Sequence, residues 1–291
     1  MSQATANPAA LFYADGFAAR LLRQGLRLAQ GLGPRYGGAL ALRLFSTPLP
    51  PKWAGRRALP APWRGEDWQF DGRSLRRWRH AESDGTRPRV LLVHGWGGRS
   101  AQMLALAEAL WREGYDPVLL DWPAHGHSGG WTSNLPQWRR ALFAVVAELG
   151  PLHAIVAHSL GAVAALSAAA RGLPVQRLAL LATSAPPATV LGWFSNAFGL
   201  GDATRQELRR RLERLSDGPL EQFEPGWLAS RLHLPVLLIH DEQDRAAPFE
   251  LAGRLAQALP QARLISSQGL GHRRVLDHMS HLEAVCGHLR G

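Results

Sequence analysis

Cysteine is almost absent from this 291-residue chain: Cys286 is the only one, so no disulfide can form within a single copy. Lysine is equally scarce, because Lys52 is the only lysine among 33 basic residues. Residues 1–10 lack the basic start and long apolar run of a secretory signal. The longest apolar stretch, residues 154–170, is interrupted by a histidine and a serine, which favours strand, turn and helix over a membrane span. These absences predict a cytoplasmic protein.

The formal net charge is +10, and a basic protein can attract nucleic acid, anionic lipid or an acidic substrate. The arginines are scattered, however, and no zinc finger or RNP-like module is present, so we expect no nucleic-acid partner. His125 and His127 are close in sequence, but no further side chain completes a recognisable metal-ligand spacing. We therefore expect neither a metal nor a cofactor.

Residues 1–66 are predicted to form an N-terminal helical segment followed by a linker. Residues 8–45 carry an apolar stripe beside several arginines, whereas residues 46–66 are rich in proline and tryptophan and favour an extended chain. In this interpretation Gly31, Gly33 and Pro34 break the helical pattern, and Gly37 and Gly38 loosen the part of the segment that follows. We favour packing of the helix on the body of the fold; the alternative is a helix that binds a partner or lies at a membrane surface, which would make the protein peripheral.

Residues 67–291 are predicted to form one α/β domain. Two short strands at 67–70 and 75–80 precede a region in which buried strands alternate with helices. Further strands are predicted at 90–93, 118–121, 153–157, 177–182, 235–240 and 263–266. This alternation predicts a mostly parallel, doubly wound sheet with right-handed crossovers. Residues 184–234 contain no strand signal, and because an unstructured loop of that length is unusual, we expect a small helical insertion that forms a lid.

The motif with the clearest chemical meaning runs from Ala157 to Gly161, between a predicted strand and a predicted helix. A tight strand-to-helix turn would expose the hydroxyl of Ser159 as a nucleophile, and it needs small residues two positions before and after. Ala157 and Gly161 meet that need. The turn also places the N–H of Leu160 at a helix N-terminus, where negative charge is favoured. A serine that only caps the helix is the alternative.

A second turn, His94-Gly95-Trp96-Gly97-Gly98, follows the first central strand. Its glycines allow the backbone to approach a ligand closely. The N–H of Trp96 is therefore the candidate for a second donor to a developing oxyanion. An ordinary glycine turn is the alternative.

These two motifs, together with residues 121–128 (DWPAHGHS), resemble the α/β-hydrolase family, especially its esterase- and lipase-like members. The resemblance covers about residues 89–291 and does not clearly include the N-terminal third. Two positions depart from the family pattern, because Ala157 and Ala124 stand where glycine is usual. Both residues are small, so the resemblance still implies the α/β-hydrolase fold.

The resemblance also implies a catalytic triad in the chain order serine, acid, histidine. Asp244 matches the acid, because it follows the strand predicted at 235–240; Asp241 is the alternative and Glu242 the fallback. His272 matches the histidine, because a glycine-rich turn places it after the last predicted strand.

The expected activity is that of a serine hydrolase that cleaves small-molecule carboxylic esters through an acyl-enzyme intermediate, without a cofactor. Candidate substrate-pocket residues are His94, His158, Trp193, Phe194 and Phe198. The sequence leaves the acyl length and the oligomeric state open.

Two other functions remain as alternatives. An acyl thioesterase could use the arginines at 209–211 to contact phosphate or an acidic carrier, although we favour a solvated helix face as the interpretation of these arginines. A non-catalytic binding protein on the same scaffold is the second alternative.

Overall fold

The computed structural model describes residues 16–49 and 57–291. These residues form two compact units. The larger lies within residues 48–184 and 225–291, and the smaller joins residues 16–47 to residues 185–224.

The larger unit contains a single eight-stranded sheet with the order β1-β2-β4-β3-β5-β6-β7-β8. The strands are β1 Trp63–Phe70, β2 Arg73–His80, β3 Arg89–Val93, β4 Asp116–Leu120, β5 Leu152–His158, β6 Val175–Leu181, β7 Val236–Asp241 and β8 Ala262–Ser267. The pairs β1–β2 and β2–β4 are antiparallel, and the other five pairs are parallel. The predicted mostly parallel sheet is therefore confirmed.

Helices connect the strands of the larger unit and make up most of the smaller one. They are α1 Phe17–Gly31, α2 Pro34–Phe45, α3 Leu104–Arg112, α4 Leu135–Leu149, α5 Leu160–Ala169, α6 Pro187–Phe198, α7 Asp202–Ser216, α8 Pro225–Ala229, α9 Phe249–Ala258, α10 Gly271–Arg274 and α11 Met279–Arg290. Within residues 16–49 and 57–291, no helix has both the length and the apolar character needed to cross a bilayer.

The central strands are buried along nearly their whole length. Leu91 and Leu92 point to opposite faces of β3, yet both are fully buried. Only a sheet covered on both faces buries successive residues in this way, which explains the continuous apolar runs in the sequence. Burial of each such leucine stabilises the fold by about 1.5–3 kcal/mol.

The strand order reverses at β3, which lies between β4 and β5. The chain leaves β3 towards β4 and leaves β5 in the opposite direction, towards β6. The carboxyl ends of β3 and β5 therefore lie at a switch point, the place where open α/β sheets bind ligands. Val93 pairs with Ala157 at these two ends. The predicted glycine turn and the predicted serine turn consequently begin side by side.

In the smaller unit, α2 packs closely on α7 through two glycines. A Cβ atom added to Gly38 would lie 2.5 Å from Cγ of Glu207, and one added to Gly37 would lie 3.0 Å from Oγ1 of Thr204. The prediction that these glycines loosen the helical segment is wrong. They lie inside α2, where the absence of side chains allows the two helices to approach each other.

The N-terminal helices also contact α6. Nε of Arg23 donates to the carbonyl oxygen of Ala197 at 3.0 Å. The rings of Phe45 and Phe194 meet edge to face, with centroids 5.2 Å apart. The insertion predicted at 184–234 thus contains two well-formed helices that share a core with the N-terminal segment, whereas its role as a lid stays a prediction.

Candidate active site

Ser159 lies in a strained turn between β5 and α5. Its backbone angles are φ 54° and ψ −122°, a combination that a non-glycine residue adopts only when the surrounding structure enforces it. A side chain at Gly161 would overlap the carbonyl oxygen of His94. The turn therefore requires glycine two residues after the serine, which is the steric reason for the small residue in the motif.

A line of hydrogen bonds joins three side chains from distant parts of the sequence. Nε2 of His272 lies 2.9 Å from Oγ of Ser159. Nδ1 of the same ring lies 2.7 Å from Oδ2 of Asp244. The structure thus brings together the three residues predicted for the triad, with the imidazole between the hydroxyl and the carboxylate.

Asp244 is held in place by its own loop. Its Oδ1 accepts the backbone N–H groups of Ala246 and Ala247 at 2.8 and 3.0 Å, so Oδ2 is left to face the imidazole of His272. Nε2 of His240 lies 3.5 Å from that Oδ2 and donates to the carbonyl oxygen of Ala247 at 2.7 Å.

Asp241, the alternative acid, has different partners. Its carboxylate accepts the backbone N–H groups of Gln243 and Leu270 and the hydroxyl of Ser267, at 2.9–3.0 Å. Burial raises the pKa of this carboxyl, but hydrogen bonds, led by those from the N–H groups of Leu270 and Gly271, lower it further. Asp241 therefore ties the loop that carries His272 to the end of β7.

The turn after β3 lies directly against the serine. A Cβ atom added to Gly95 would lie 2.6 Å from Cβ of Ser159 and 3.2 Å from its Oγ. Trp96, the next residue, has its N–H one peptide unit away from this contact. Leu160 begins α5, and the N–H groups of a first helical turn have no acceptor within the helix. The residues that carry the two predicted donors thus adjoin the serine turn, and their role towards an oxyanion stays a prediction.

Comparison with known proteins identifies the family. A family model described as alpha/beta hydrolase fold matches residues 88–234, just over half of the chain, and a model described as TAP-like protein matches residues 221–285. The chain belongs to the α/β-hydrolase family. The resemblance inferred from the sequence motifs is therefore confirmed.

Two curated relatives of this α/β hydrolase share one name. The pimeloyl-(acyl-carrier protein) methyl ester esterase of Aromatoleum aromaticum is 30% identical over 239 residues, which cover 66% of this chain and 94% of the relative. That of Xanthomonas campestris pv. campestris is 28% identical over 241 residues, covering 68% and 93%. Among solved structures, Est1E of Butyrivibrio proteoclasticus with ferulic acid bound has a TM-score of 0.60 and 21% identity, covering 77% of this chain and 96% of its own.

The buried carboxylate of Asp121 joins the loop after β3 to the loop after β4. Oδ1 of Asp121 accepts both the N–H and the hydroxyl of Ser100 at 2.7 Å, and Oδ2 accepts the N–H of His127 at 3.0 Å. A side chain at Gly126 would overlap the carboxyl group. Burial raises the pKa of Asp121, but the hydrogen bonds from His127 and neighbouring groups outweigh it and set the pKa at about 2.

The structure explains why glycine is usual at position 124. Ala124 has φ 63°, in the left-handed region that favours glycine. Its N–H donates to the carbonyl oxygen of Gly129 at 2.8 Å, which closes the loop that contains His127. The alanine is tolerated because this loop is fixed at both ends.

Three histidines around the serine are held neutral. Burial lowers the pKa of His94 and His240, and it lowers the pKa of His158 well below the usual range. Nε2 of His158 lies 2.8 Å from the carbonyl oxygen of His272, so the neutral ring must carry its proton on Nε2 to donate there. His158 thus links the nucleophile turn to the loop of His272.

The remaining predicted pocket residues occupy different surroundings. His94 is fully buried, and its Nδ1 lies 2.7 Å from the carbonyl oxygen of Gly95. Phe194 and Phe198 are buried in the smaller unit, with ring centroids 4.6 Å apart, and Trp193 is half-buried beside them. Their role in a substrate pocket stays a prediction. Across residues 16–49 and 57–291, no group of three His, Cys, Asp or Glu side chains is placed to hold a metal.

Two supporting residues were not predicted. His240, which was seen only as the end of a strand, borders the carboxylate of Asp244, and Asp121 was noted only as part of a motif. Their position in the sequence could have indicated this role. Each residue lies at or just after the carboxyl end of a buried strand, and these strand ends border the site. A buried histidine or aspartate at such a place needs partners, which is a reason to expect a supporting contact.

Proposed function

We propose that this α/β hydrolase cleaves carboxylic esters with Ser159 as nucleophile, His272 as general base and acid, and Asp244 as the group that orients and stabilises the imidazole. The observation that carries the proposal is the continuous hydrogen-bonded line from the serine hydroxyl to the buried carboxylate. This is the arrangement that activates a serine, which is otherwise a weak nucleophile.

The first half of the reaction forms an acyl-enzyme. Nε2 of His272 takes the proton of Ser159 as Oγ attacks the carbonyl carbon, and the carbonyl oxygen becomes an oxyanion. The N–H groups of Trp96 and Leu160 would donate to it, and loss of one such donor typically costs about 3–4 kcal/mol of transition-state stabilisation. The tetrahedral intermediate then collapses, the ester C–O bond breaks, and His272 gives its proton to the departing alcohol.

The second half releases the acid. Water enters, His272 takes one of its protons, and the hydroxide oxygen attacks the acyl carbon of the ester on Ser159. Collapse of this second intermediate breaks the bond to Oγ, and the proton held by His272 returns to Ser159. The chain's own residues supply every proton transfer, so the proposed mechanism needs no cofactor.

The substrate class is inferred from the relatives. The two curated relatives are named as methyl ester esterases that act on a carrier-bound pimeloyl group, which supports an oxygen ester, carried on an acyl chain, as the bond that is cleaved. The thioesterase alternative has no comparable support. Arg209 is paired with Glu213 and Glu221, and the next two arginines, Arg210 and Arg211, with Glu207. These arginines already have carboxylate partners, which favours a solvated, ion-paired helix face.

Labelling with a fluorophosphonate tests the nucleophile. We expect covalent modification of Ser159 in the folded protein, located by peptide mass spectrometry, and none in Ser159→Ala. That variant should lose about 10⁶-fold in kcat for ester hydrolysis. Ser280→Ala, at an exposed serine of α11, is the matched control and should keep both activity and labelling. Ester turnover that survives Ser159→Ala undiminished would refute the proposal.

A substrate series then separates the two bond types. Purified protein is offered p-nitrophenyl esters and acyl-CoA thioesters of increasing acyl length, and kcat/KM is compared at each length. We expect larger values for the oxygen esters throughout. Consistently larger values for the thioesters, lost in Ser159→Ala, would retain the serine mechanism and assign the thioesterase activity instead.

Gly95→Ala should impair catalysis although it adds only one methyl group. The new Cβ would lie 2.6 Å from Cβ of Ser159 and 3.2 Å from Nδ1 of His158, so the turn or the serine must move. Because a displacement of about 1 Å can cost 100-fold, we expect kcat for a p-nitrophenyl ester to fall by about 100-fold or more. Gly253→Ala is the control, since Gly253 lies in α9 with no atom within 4 Å of its added Cβ. Equal activities of the two variants would contradict the proposed role of this turn.

A further inference from the structure

The amphipathic helix α1 has two apolar faces instead of one. Leu26 is fully buried against the other helices of the smaller unit. Leu21, Leu28 and Leu32 are 51, 73 and 74% exposed. Their spacings of seven and four residues place them on one side of the helix and its C-terminal cap, away from Leu26. We call these three residues the outer leucine stripe.

Arginines accompany the stripe. Arg20 and Arg27 are exposed and also seven residues apart, so they form a second row on α1, directly beside the leucines. At the start of α2, a basic and an aromatic side chain are also exposed: Arg35, and Tyr36 with an exposed fraction of 61%. Nothing in residues 16–49 carries a carboxylate side chain.

The charge of the whole protein is concentrated in this region of the sequence. Residues 1–65 contain eight arginines and one lysine against a single acidic residue, Asp15, which gives a net charge of +8 out of the +10 of the chain. The other 226 residues are therefore nearly neutral overall. Within the described residues 16–49 there are five arginines and no acidic residue. A basic surface is attracted to a negatively charged one and repels a second copy of itself.

We propose that the outer leucine stripe and its flanking arginines dock this hydrolase on an anionic lipid surface. A helix that lies in a membrane interface needs a row of apolar side chains that enters the acyl boundary and cationic side chains that meet the headgroups. Leu21, Leu28 and Leu32 supply the first, and Arg20 and Arg27 the second. The two parallel rows on a single convex helix match a flat bilayer surface. The absence of carboxylates in residues 16–49 favours a uniformly anionic surface over the mixed charges of a protein surface.

Stable attachment to a membrane requires both the leucines and the arginines of this surface. A single apolar row or a few basic residues binds membranes only marginally, and stable attachment takes two signals. Each arginine near an anionic surface strengthens binding by about fivefold. The docking would bring a hydrolase for acyl substrates to the phase in which such substrates concentrate, but the binding itself does not depend on the proposed catalytic activity.

Vesicle sedimentation of the full chain tests the proposal. The probes are vesicles of phosphatidylcholine alone and of phosphatidylcholine mixed with phosphatidylserine. We expect binding to the mixed vesicles only, weakened at high salt, where the screening length is short. The variant Leu21→Ser/Leu28→Ser/Leu32→Ser should bind about 1,000-fold more weakly, since burial of each leucine contributes about tenfold. Arg20→Gln/Arg27→Gln should bind about 25-fold more weakly.

The matched control changes residues of the larger unit. Met279→Ser/Arg254→Gln replaces an apolar side chain that is 67% exposed and an exposed arginine. This control should bind mixed vesicles as the wild type does, and all variants should keep the thermal midpoint and the rate of ester hydrolysis in solution. Amide hydrogen exchange in α1 should slow on addition of mixed vesicles.

Three outcomes would overturn the proposal. The first is absence of wild-type binding to mixed vesicles, and the second is binding that the leucine and arginine variants do not reduce. The third is a concentration-dependent dimer in sedimentation velocity that the leucine variant abolishes, because the stripe would then be covered by a second copy. An inactive protein that still binds vesicles through α1 would contradict the proposed enzyme function and leave the docking surface intact.

Discussion

Asp244→Asn is expected to lower kcat for ester hydrolysis by about 10⁴-fold, the loss that the same change causes in a Ser-His-Asp triad. The amide keeps the size of the carboxylate and can still accept the N–H groups of Ala246 and Ala247 through its oxygen. Its NH₂ group would then face Nδ1 of His272, at the position now 2.7 Å away. The ring would have to present a bare nitrogen to that donor, which moves its proton to Nε2 and prevents it from accepting the proton of Ser159.

Asp241→Asn provides the comparison. This carboxylate accepts bonds from Leu270 and Ser267 and does not contact the imidazole of His272. We expect its loss to lower the free energy of unfolding by about 1–3 kcal/mol, because a buried hydrogen-bonding set is disrupted, and to lower kcat by far less than 10⁴-fold. Steady-state kinetics and urea unfolding of both variants measure the two effects. A larger fall in kcat for Asp241→Asn, at similar stability, would assign the acid to Asp241.

The local parts of the site could be predicted because their chemistry is local. A strand that ends at His158, a serine, and a glycine two residues later indicate a tight turn from consecutive residues alone. The structure adds the long-range reason for the glycine, because Gly161 passes the carbonyl oxygen of His94. Chain order and strand position then limited the acid and the base to a few residues. The sheet was predictable for the same reason, because a strand buried on both faces shows a continuous apolar run.

Other parts depend on contacts between distant residues. The pairing of α1 and α2 with the insertion helices joins residues about 170 positions apart, as in the bond from Gly201 to Gln30, and no periodicity contains that information. Gly37 and Gly38 show the difficulty. In the sequence they resemble a break in a helix, and only the presence of α7 shows that they are the place of closest approach.

The aspartates of the site illustrate a third limit. Asp121, Asp241 and Asp244 all follow or end buried strands, so residue type and position are nearly the same for each. What differs is the set of donors around each carboxylate. Asp244 lies 2.7 Å from the imidazole that contacts Ser159, whereas the closest donors to Asp121 and Asp241 are backbone N–H and hydroxyl groups. Only the three-dimensional contacts distinguish these aspartates. Loss of Asp244 is expected to affect catalysis, whereas loss of Asp121 or Asp241 is expected to affect mainly stability.

Asp121→Asn is expected to lower the free energy of unfolding by about 2–4 kcal/mol at neutral pH. About 2 kcal/mol corresponds to the depression of the pKa of Asp121 from its ordinary 3.8 to about 2. The rest of the expected loss of unfolding free energy comes from a lost hydrogen bond. The NH₂ group of an asparagine would face the N–H of His127, and this donor would then have no acceptor.

The pH dependence separates this contribution from general damage to packing. The folded-state pKa lies below the unfolded value, so the stabilisation by ionised Asp121 is complete above about pH 5 and is lost as the pH falls from about 4 towards 2. The difference in unfolding free energy between wild type and Asp121→Asn, measured in urea, should therefore be constant near neutrality and narrow in acid. Asp67→Asn, at a carboxylate that is 54% exposed and paired with Arg76, should cost no more than about 1 kcal/mol. A difference for Asp121→Asn that stays the same down to the acid transition would show that its carboxylate charge does not stabilise the fold.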